Sequence, residues 1–505
     1  MGLDVLIIGS GGAGLSGALM AKESGAEVLV VSESYPTRAQ TSMAQGGLNA
    51  VLPNSNDTIE NHINDTLKAS CGLGDKKMIE LLCQDAPKTV EWLNSIGVPF
   101  SIDQDGNIAQ RKLGGTKHER ACYSQDYTGL KIIQTIYDNS LKEEINYLNE
   151  HYLLELIVEN NIARGAIFLD IRSGEVKEIL AKSVILATGG YCGLYYNHTT
   201  NMYSQNGDGI VLAKKAGAKV SGLEFVQFHP TGLKSSSVLI SESARGAGGK
   251  LINQKGERFV DELKPRDVVS LAIWMEIEKG NEVFLDIRDL GSQFIDEHLP
   301  QERKLSIFYE KVDPVHKVIP IKPVAHYSMG GVDVDKNLQS SIDGLFCVGE
   351  CSNAKVHGAN RLGGNSLLEI VAFGRRCGKS AYEYSKDIKE PTISKDYLED
   401  MKQNIENIYN KTSELNFYKT REELGENLYK YAGITRDKKG LLNLEKFLEN
   451  IELDRMSIDD RSRVYNTTLV EFLKFRNSIF LAKEIMKSAK KREKSCGSHF
   501  RSDDK

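Results

Sequence analysis

The sequence contains no uninterrupted apolar run approaching the ~20 residues needed to span a bilayer. Its start offers no basic, apolar leader and no twin-arginine pair, since Asp4-Val5-Leu6-Ile7-Ile8 already reads as a strand. We therefore expect a cytoplasmic chain, whose docking at the inner face of the cytoplasmic membrane would run through partner subunits. C-x-x-C is absent too. The eight cysteines (Cys71, Cys83, Cys122, Cys192, Cys347, Cys351, Cys377 and Cys496) are scattered, and the closest pair, Cys347 and Cys351, has no partner cluster. Neither a zinc site nor an iron–sulfur cluster is supported, so no metal is expected and the thiols read as mostly buried and reduced. Electrons that travel beyond a cofactor here need another polypeptide. A strong charge of one sign is missing as well: the net charge of -5 gives no electrostatic reason to bind nucleic acid. No internal repeat or low-complexity segment occurs.

What remains is a long chain of ordinary composition. Its 505 residues exceed one ordinary core, which predicts two or three domains, and 40% hydrophobic with 26% charged residues is typical of globular proteins. Residues 4–33 read as strand, glycine turn, helix, strand, with the helix ended by Gly25. Leu153–Glu159, Ile162–Asp170 and Glu175–Leu180 alternate around turn residues, which predicts an antiparallel meander. Ser183–Ala187 is another buried strand. The stretch from about Glu224 to Val324 is more polar and richer in His and Arg. Gly344–Gly349 returns to the strand-then-glycine style, and from about Ile388 the pattern is helical.

Gly9, Gly11 and Gly14 form G-x-G-x-x-G between the first strand and helix, in Gly9-Ser10-Gly11-Gly12-Ala13-Gly14. The first glycine permits the tight turn, and the second lets backbone approach a pyrophosphate. The third brings helix onto strand, while the helix N-terminus faces phosphate charge. Alone the hexapeptide is weak; its setting between strand and helix strengthens it. Glu33, beside Ser32 at the end of the second strand, is either the acid for an adenosine ribose or a solvated strand end.

Beyond this point the chain resembles the succinate dehydrogenase/fumarate reductase flavoprotein family, which includes L-aspartate oxidase. The resemblance rests on Tyr35-Pro36-Thr37-Arg38, Ala44-Gln45-Gly46-Gly47, Ala187-Thr188-Gly189-Gly190, Asn206-Gly207-Asp208-Gly209 and Glu224-Phe225-Val226-Gln227-Phe228-His229-Pro230-Thr231. It continues in Pro265-Arg266-Asp267, His326-Tyr327-Ser328-Met329-Gly330-Gly331 and His357-Gly358-Ala359-Asn360-Arg361-Leu362. It covers nearly the whole chain in order. The resemblance implies FAD, with contacts at Gly12, Ala13, Gln45, Gly46, Gly47, Ala187, Thr188, Gly189, Asp208, Glu350, Asn365, Ser366 and Leu367. Asp126 lies in another familiar segment, where its role is either functional or structural. It also implies an α/β fold: a Rossmann-like FAD-binding domain (residues 1–222 and 327–388), an inserted α+β capping domain (223–326) and a C-terminal helical domain (389–505). Members that bind FAD covalently carry histidine where this chain has Gln40. An amide is no nucleophile toward the flavin methyl group, so non-covalent FAD is expected, and with it a bias toward fumarate reduction.

The same resemblance assigns the substrate site. Arg266 is the implied proton donor, with Glu242 and Arg245, three residues apart, as its relay. His326 and Arg361 are implied to grip one carboxylate of fumarate or succinate, with His229 and Ser241 near the other. A guanidinium suits carboxylate binding through its planar fork, but at a pKa above ~12 it donates a proton only if a relay replaces it. Without the resemblance, each of these residues has an ordinary structural reading. L-aspartate oxidase places a glutamate just before a Gly-Gly pair, to meet the substrate ammonium; here Leu113 precedes Gly114-Gly115. An ammonium buried against leucine lacks a counter-charge, which favours fumarate and succinate. L-aspartate oxidation and a flavin-binding protein without catalysis are the alternatives. An iron–sulfur subunit and a membrane-anchor subunit are the implied partners. The C-terminal segment Glu493–His499 departs from the family at Cys496, where arginine is usual.

Overall fold

The structure, a computed structural model, describes residues 2–413 and 415–504. Its centre is a five-stranded, wholly parallel sheet. The order is Leu345–Cys347, Ser183–Leu186, Val5–Ile8, Val28–Ser32, Asn146–Asn149, with Val5 paired to both Ser183 and Val28. A parallel sheet is covered on both faces, and the alternation of side chains divides the first strand accordingly. Val5 and Ile7 join one apolar cluster, together with the helices Gly12–Glu23 and Asn365–Ser385. Leu6 and Ile8 join the other, which includes the meander and the C-terminal helices. The meander is His151–Glu159, Ile162–Asp170 and Val176–Leu180, all antiparallel, as its alternation predicts.

A second sheet, of four antiparallel strands, runs Val226–Leu233, Ile319–Ser328, Val283–Asp286, Lys250–Asn253. Its apolar cluster is drawn wholly from residues 233–321, so this cap has a core of its own. The strand Val226–Leu233 is buried along its whole length and carries His229-Pro230. Pro230 has no N–H for a ladder, and the register shifts between His229 and Gly232 as a bulge accommodates it.

The C-terminal helices Tyr397–Asn410, Phe417–Tyr431, Lys438–Glu449 and Thr467–Lys491 begin at Asp396, Asn416, Asp437 and Asn466. Each of those side chains accepts a first-turn backbone N–H, satisfying a donor that the helix itself leaves open. Among the described residues, no helix is long and apolar enough to cross a membrane.

Candidate active site

The glycine turn is held by close contacts. Gly9 has φ +112°, a region that side chains disfavour, and a Cβ there would strike the Ala187 carbonyl. A Cβ at Gly14 would strike the Gly9 carbonyl oxygen, so the third glycine brings helix onto strand and does not itself reach the cavity. That cavity, about 560 Å³, runs from this turn to the cap. All of the cofactor residues expected from the sequence line it except Gly14 and Asn365. Asn365 lies off the cavity lining, engaged with neighbouring segments. Its amide donates to Thr66 Oγ1 (3.0 Å) and accepts from Asn49 Nδ2 (2.8 Å), with His62 Nε2 at 2.9 Å. It ties the helix Asn365–Ser385 to the helix Ile59–Ala69, with both acceptor sites of its Oδ1 taken and one Nδ2 hydrogen unassigned.

Buried polar atoms on the cavity wall, among them Gln45 Oε1, Thr188 Oγ1 and Asn206 Oδ1, have no partner in the protein. Buried oxygens are rarely left unmatched, so the wall is complementary to a polar ligand. A dinucleotide fits this cradle. Glu33 resolves into neither of its two sequence readings alone: it faces the cavity and is ion-paired to Lys474 of the last long helix. Gln40 also lines the cavity, and its Oε1 accepts the Met202 N–H at 3.0 Å. Glu350 accepts from Ser328 N and Oγ, both at 2.9 Å, and burial pushes its carboxyl up to about 7.

At the cap end the cavity is lined by Leu113, His229, Ser241, Glu242, Arg266, His326 and Arg361. Ser241 caps the short helix Glu242–Gly246, which sets Glu242 and Arg245 on one face. Glu242 is the hub. Its Oε2 accepts from Arg266 Nε (2.9 Å) and Nη2 (2.6 Å), and its Oε1 from the Gly114 N–H (2.9 Å), with Arg245 Nη2 at 3.5 Å. Burial alone would raise this carboxyl; the charges of Arg266 and Arg245 override it and hold it at about 2. Arg245 lies behind Glu242, off the cavity, and donates to the Glu262 carbonyl at 2.5 Å.

Arg361 lies over the Tyr327 ring at 3.9 Å, and burial together with the Arg266 charge lowers it to about 10. Tyr327 donates to Glu369, which also meets His357, so His357 braces this loop away from the cavity. His229 and His326 have ring centroids 4.9 Å apart. Burial, then the neighbouring guanidiniums, holds both well below the usual imidazole range, so both are neutral. His326 Nδ1 meets Thr200 Oγ1 at 2.7 Å, while that oxygen accepts from Asn201 Nδ2 at 3.2 Å. The hydroxyl proton is thus free to point at Nδ1, which leaves Nε2–H as the donor of His326. Thr200 and Asn201 carry no sequence signal of this role, since they act only through a residue more than a hundred positions away.

Three guanidiniums and one carboxylate, in Arg245, Arg266, Arg361 and Glu242, leave a surplus of two positive charges. Leu113, 2% exposed, forms an apolar wall beside them, and Glu119, the nearest following acid, is exposed and off the cavity. A dinucleotide cradle opening directly onto such a pocket defines a flavin- or nicotinamide-type oxidoreductase of small dianions. Comparison with known proteins decides the cofactor. Residues 4–367 match the FAD binding domain family, and residues 421–505 match the fumarate reductase flavoprotein C-term family. The chain is 38% identical to the 8-methylmenaquinol:fumarate reductase flavoprotein subunit of Wolinella succinogenes, over 99% of this chain and 86% of that one. It is 34% identical to a mitochondrial succinate dehydrogenase flavoprotein of Xenopus laevis, over 99% and 80%. A solved quinol fumarate reductase chain of E. coli superimposes with a TM-score of 0.94 at 34% identity, covering all of this chain and 91% of that one. The chain belongs to the fumarate reductase/succinate dehydrogenase flavoprotein family and is an FAD-dependent oxidoreductase.

Proposed function

We propose that this protein reduces fumarate to succinate, with FAD held non-covalently and Arg266 as the proton donor. The observation that carries this is the Arg266–Glu242–Arg245 row at the end of the cavity, hydrogen-bonded at its first link and ion-paired at 3.5 Å at its second. When bound, FAD supplies the hydride to one alkene carbon. The protein does the rest. Arg361 and the Nε2–H of His326 hold one carboxylate, and His229 and Ser241 meet the other. The clamp draws electron density toward the held carboxylate and makes the alkene electrophilic. Arg266 gives a proton to the second carbon, and Glu242, an ionised carboxylate whose Oε2 is hydrogen-bonded to Nε and Nη2, returns one only as it takes another from Arg245. Arg245 supplies that proton at Oε1 and is itself reprotonated from solvent, so each turnover takes up one proton from water. A buried, fixed carboxylate between two guanidiniums makes arginine competent as a donor despite its high intrinsic pKa.

Gln40 supports the non-covalent mode, since its amide is engaged by the Met202 N–H and has no nucleophilic atom to offer. Loss of the covalent bond favours fumarate reduction as the direction. The curated relatives are named as subunits, and this chain has no metal-binding cluster among its described residues. We therefore infer an iron–sulfur subunit as electron partner and a membrane-anchor subunit beyond it, with the chain peripheral at the inner face of the cytoplasmic membrane.

Leu113 argues against L-aspartate. The cavity acids are Glu33, Asp208, Glu242 and Glu350, and the one at the substrate end, Glu242, is already committed to two arginines. An aspartate ammonium would forgo a charge-assisted bond of roughly 1.5–3 kcal/mol, about one to two orders of magnitude in specificity. The test is kcat/KM of the purified FAD-loaded protein, for fumarate with an artificial reductant and for succinate and L-aspartate with an artificial oxidant. Turnover of fumarate, with succinate preferred to aspartate, is expected. A preference for aspartate overturns the proposal.

A further inference from the structure

Gln227 lies on the bulged cap strand Val226–Leu233, wholly buried, between the two arginines assigned above to proton transfer and to substrate binding. Its Oε1 accepts from Arg266 Nη1 at 3.1 Å and from Arg361 Nη2 at 3.2 Å. Its Nε2 donates to Asn360 Oδ1 at 2.7 Å and to the Arg361 carbonyl at 2.8 Å. Two acceptor sites and two donor hydrogens are all in use, the full capacity of a primary amide.

The orientation of that amide is dictated from outside. Asp267 Oδ1 accepts from Asn360 Nδ2 at 2.9 Å, which turns Asn360 Oδ1 toward Gln227. Oδ1 and the Arg361 carbonyl are acceptors only, so Nε2 must face them and Oε1 must face the guanidiniums. These bonds also cross between structural units. Gln227, Arg266 and Asp267 belong to the cap, whereas Asn360 and Arg361 precede the helix that packs on the parallel sheet.

We propose that Gln227 is a positioning residue that sets the spacing and aim of Arg266 and Arg361 across the seam between cap and FAD domain. The inference rests on the functional reading above. Two like charges repel, and one neutral oxygen shared between them holds them together without cancelling either charge. Each arginine keeps its remaining N–H groups for other partners: Nε and Nη2 of Arg266 face Glu242, and Nε of Arg361 has no protein partner. An ionised carboxylate at this position would form two charge-assisted bonds and compete with the substrate for both arginines. An apolar side chain of the same length would leave Asn360 and both guanidiniums without their bridge and let the two arginines separate.

The experiment compares wild type, Gln227→Glu and Gln227→Met in fumarate reduction with an artificial reductant, alongside FAD content and the competitive binding of malonate, a non-reacting dianion. Gln227→Glu is expected to raise KM for fumarate by about tenfold to a hundredfold and to weaken malonate in parallel, with a smaller change in kcat. Gln227→Met is expected to lower kcat at near-normal FAD content, because the donor loses its aim. Wild-type KM and malonate affinity in Gln227→Glu, or wild-type kcat in FAD-replete Gln227→Met, overturns the inference. If the wild-type protein does not reduce fumarate, the functional reading falls; if it does and the variants match it, only the role of Gln227 falls.

Discussion

Replacing Arg266 with Gln tests the proton-transfer chain at its narrowest point. The side chain is only 10% exposed and makes three hydrogen bonds, two to Glu242 Oε2 and one to Gln227. Glutamine can restore at most one of them, and it has no acidic proton to give. Positioned general acids contribute about 10²–10⁴ in rate, or roughly 3–5 kcal/mol of barrier, so kcat should fall by that factor. There is a second effect. Arg266 supplies the largest pull holding Glu242 at about 2, and without it the buried carboxylate keeps only Arg245 at 3.5 Å and the Gly114 N–H. Breaking a buried ion pair on one side costs about 3–5 kcal/mol of stability, so Tm should drop as well. FAD content must be measured beside kcat to separate the two effects, and it should stay near wild type. Lysine should rescue poorly, since one ammonium cannot reach Glu242 and Gln227 with the geometry of the fork. In the pair of variants Glu242→Gln and Arg266→Gln, the double loss should fall well short of the product of the single losses, because the residues act as one unit. An Arg266→Gln protein that keeps more than about a tenth of wild-type kcat would refute the donor role, because the smallest contribution expected of a general acid exceeds that.

Two further outcomes are accessible without kinetics. Acid or heat should release all the flavin into the supernatant, because Gln40 forms no bond to it; fluorescence that stays with the denatured polypeptide on a gel would disprove this. His326 is held below its ordinary pKa, so below about pH 6.5 the unfolded chain takes up a proton that the folded site refuses, and stability at that residue is lost as pH falls. His326→Gln should therefore lose about 1.4 kcal/mol less per pH unit than wild type on the acid side, and equal slopes in denaturant titrations at pH 7 to 5.5 would mean the imidazole is charged in the fold.

What can be read from the sequence is largely what is local. The strand, glycine turn and helix from Val5 to Glu23 follow from neighbours within a few positions, and so does the meander. Glu242 and Arg245 are legible as a pair because three residues of helix bring them together. The residues that link distant segments are not. Gln227 stands in a recognised motif, yet its work depends on Asn360 and Arg361, more than 130 positions away. Glu33 stays ambiguous in the sequence because its counter-charge, Lys474, comes 441 residues later. Asn365 shows the same limit: its place in the motif points to the cofactor, and nothing local hints at its bonds to Thr66, Asn49 and His62, roughly 300 positions away.

The ion pair between Glu33 and Lys474 has a consequence for how the protein is made. The cavity wall is contributed by segments between Ile8 and Ile370, so a nascent chain cannot enclose the cofactor until synthesis has passed Ile370. Even then Glu33 stands at the cavity without its cation until the helix Thr467–Lys491 emerges and docks. A chain terminated before Lys474 thus leaves the Glu33 carboxylate at the cavity wall without its counter-charge.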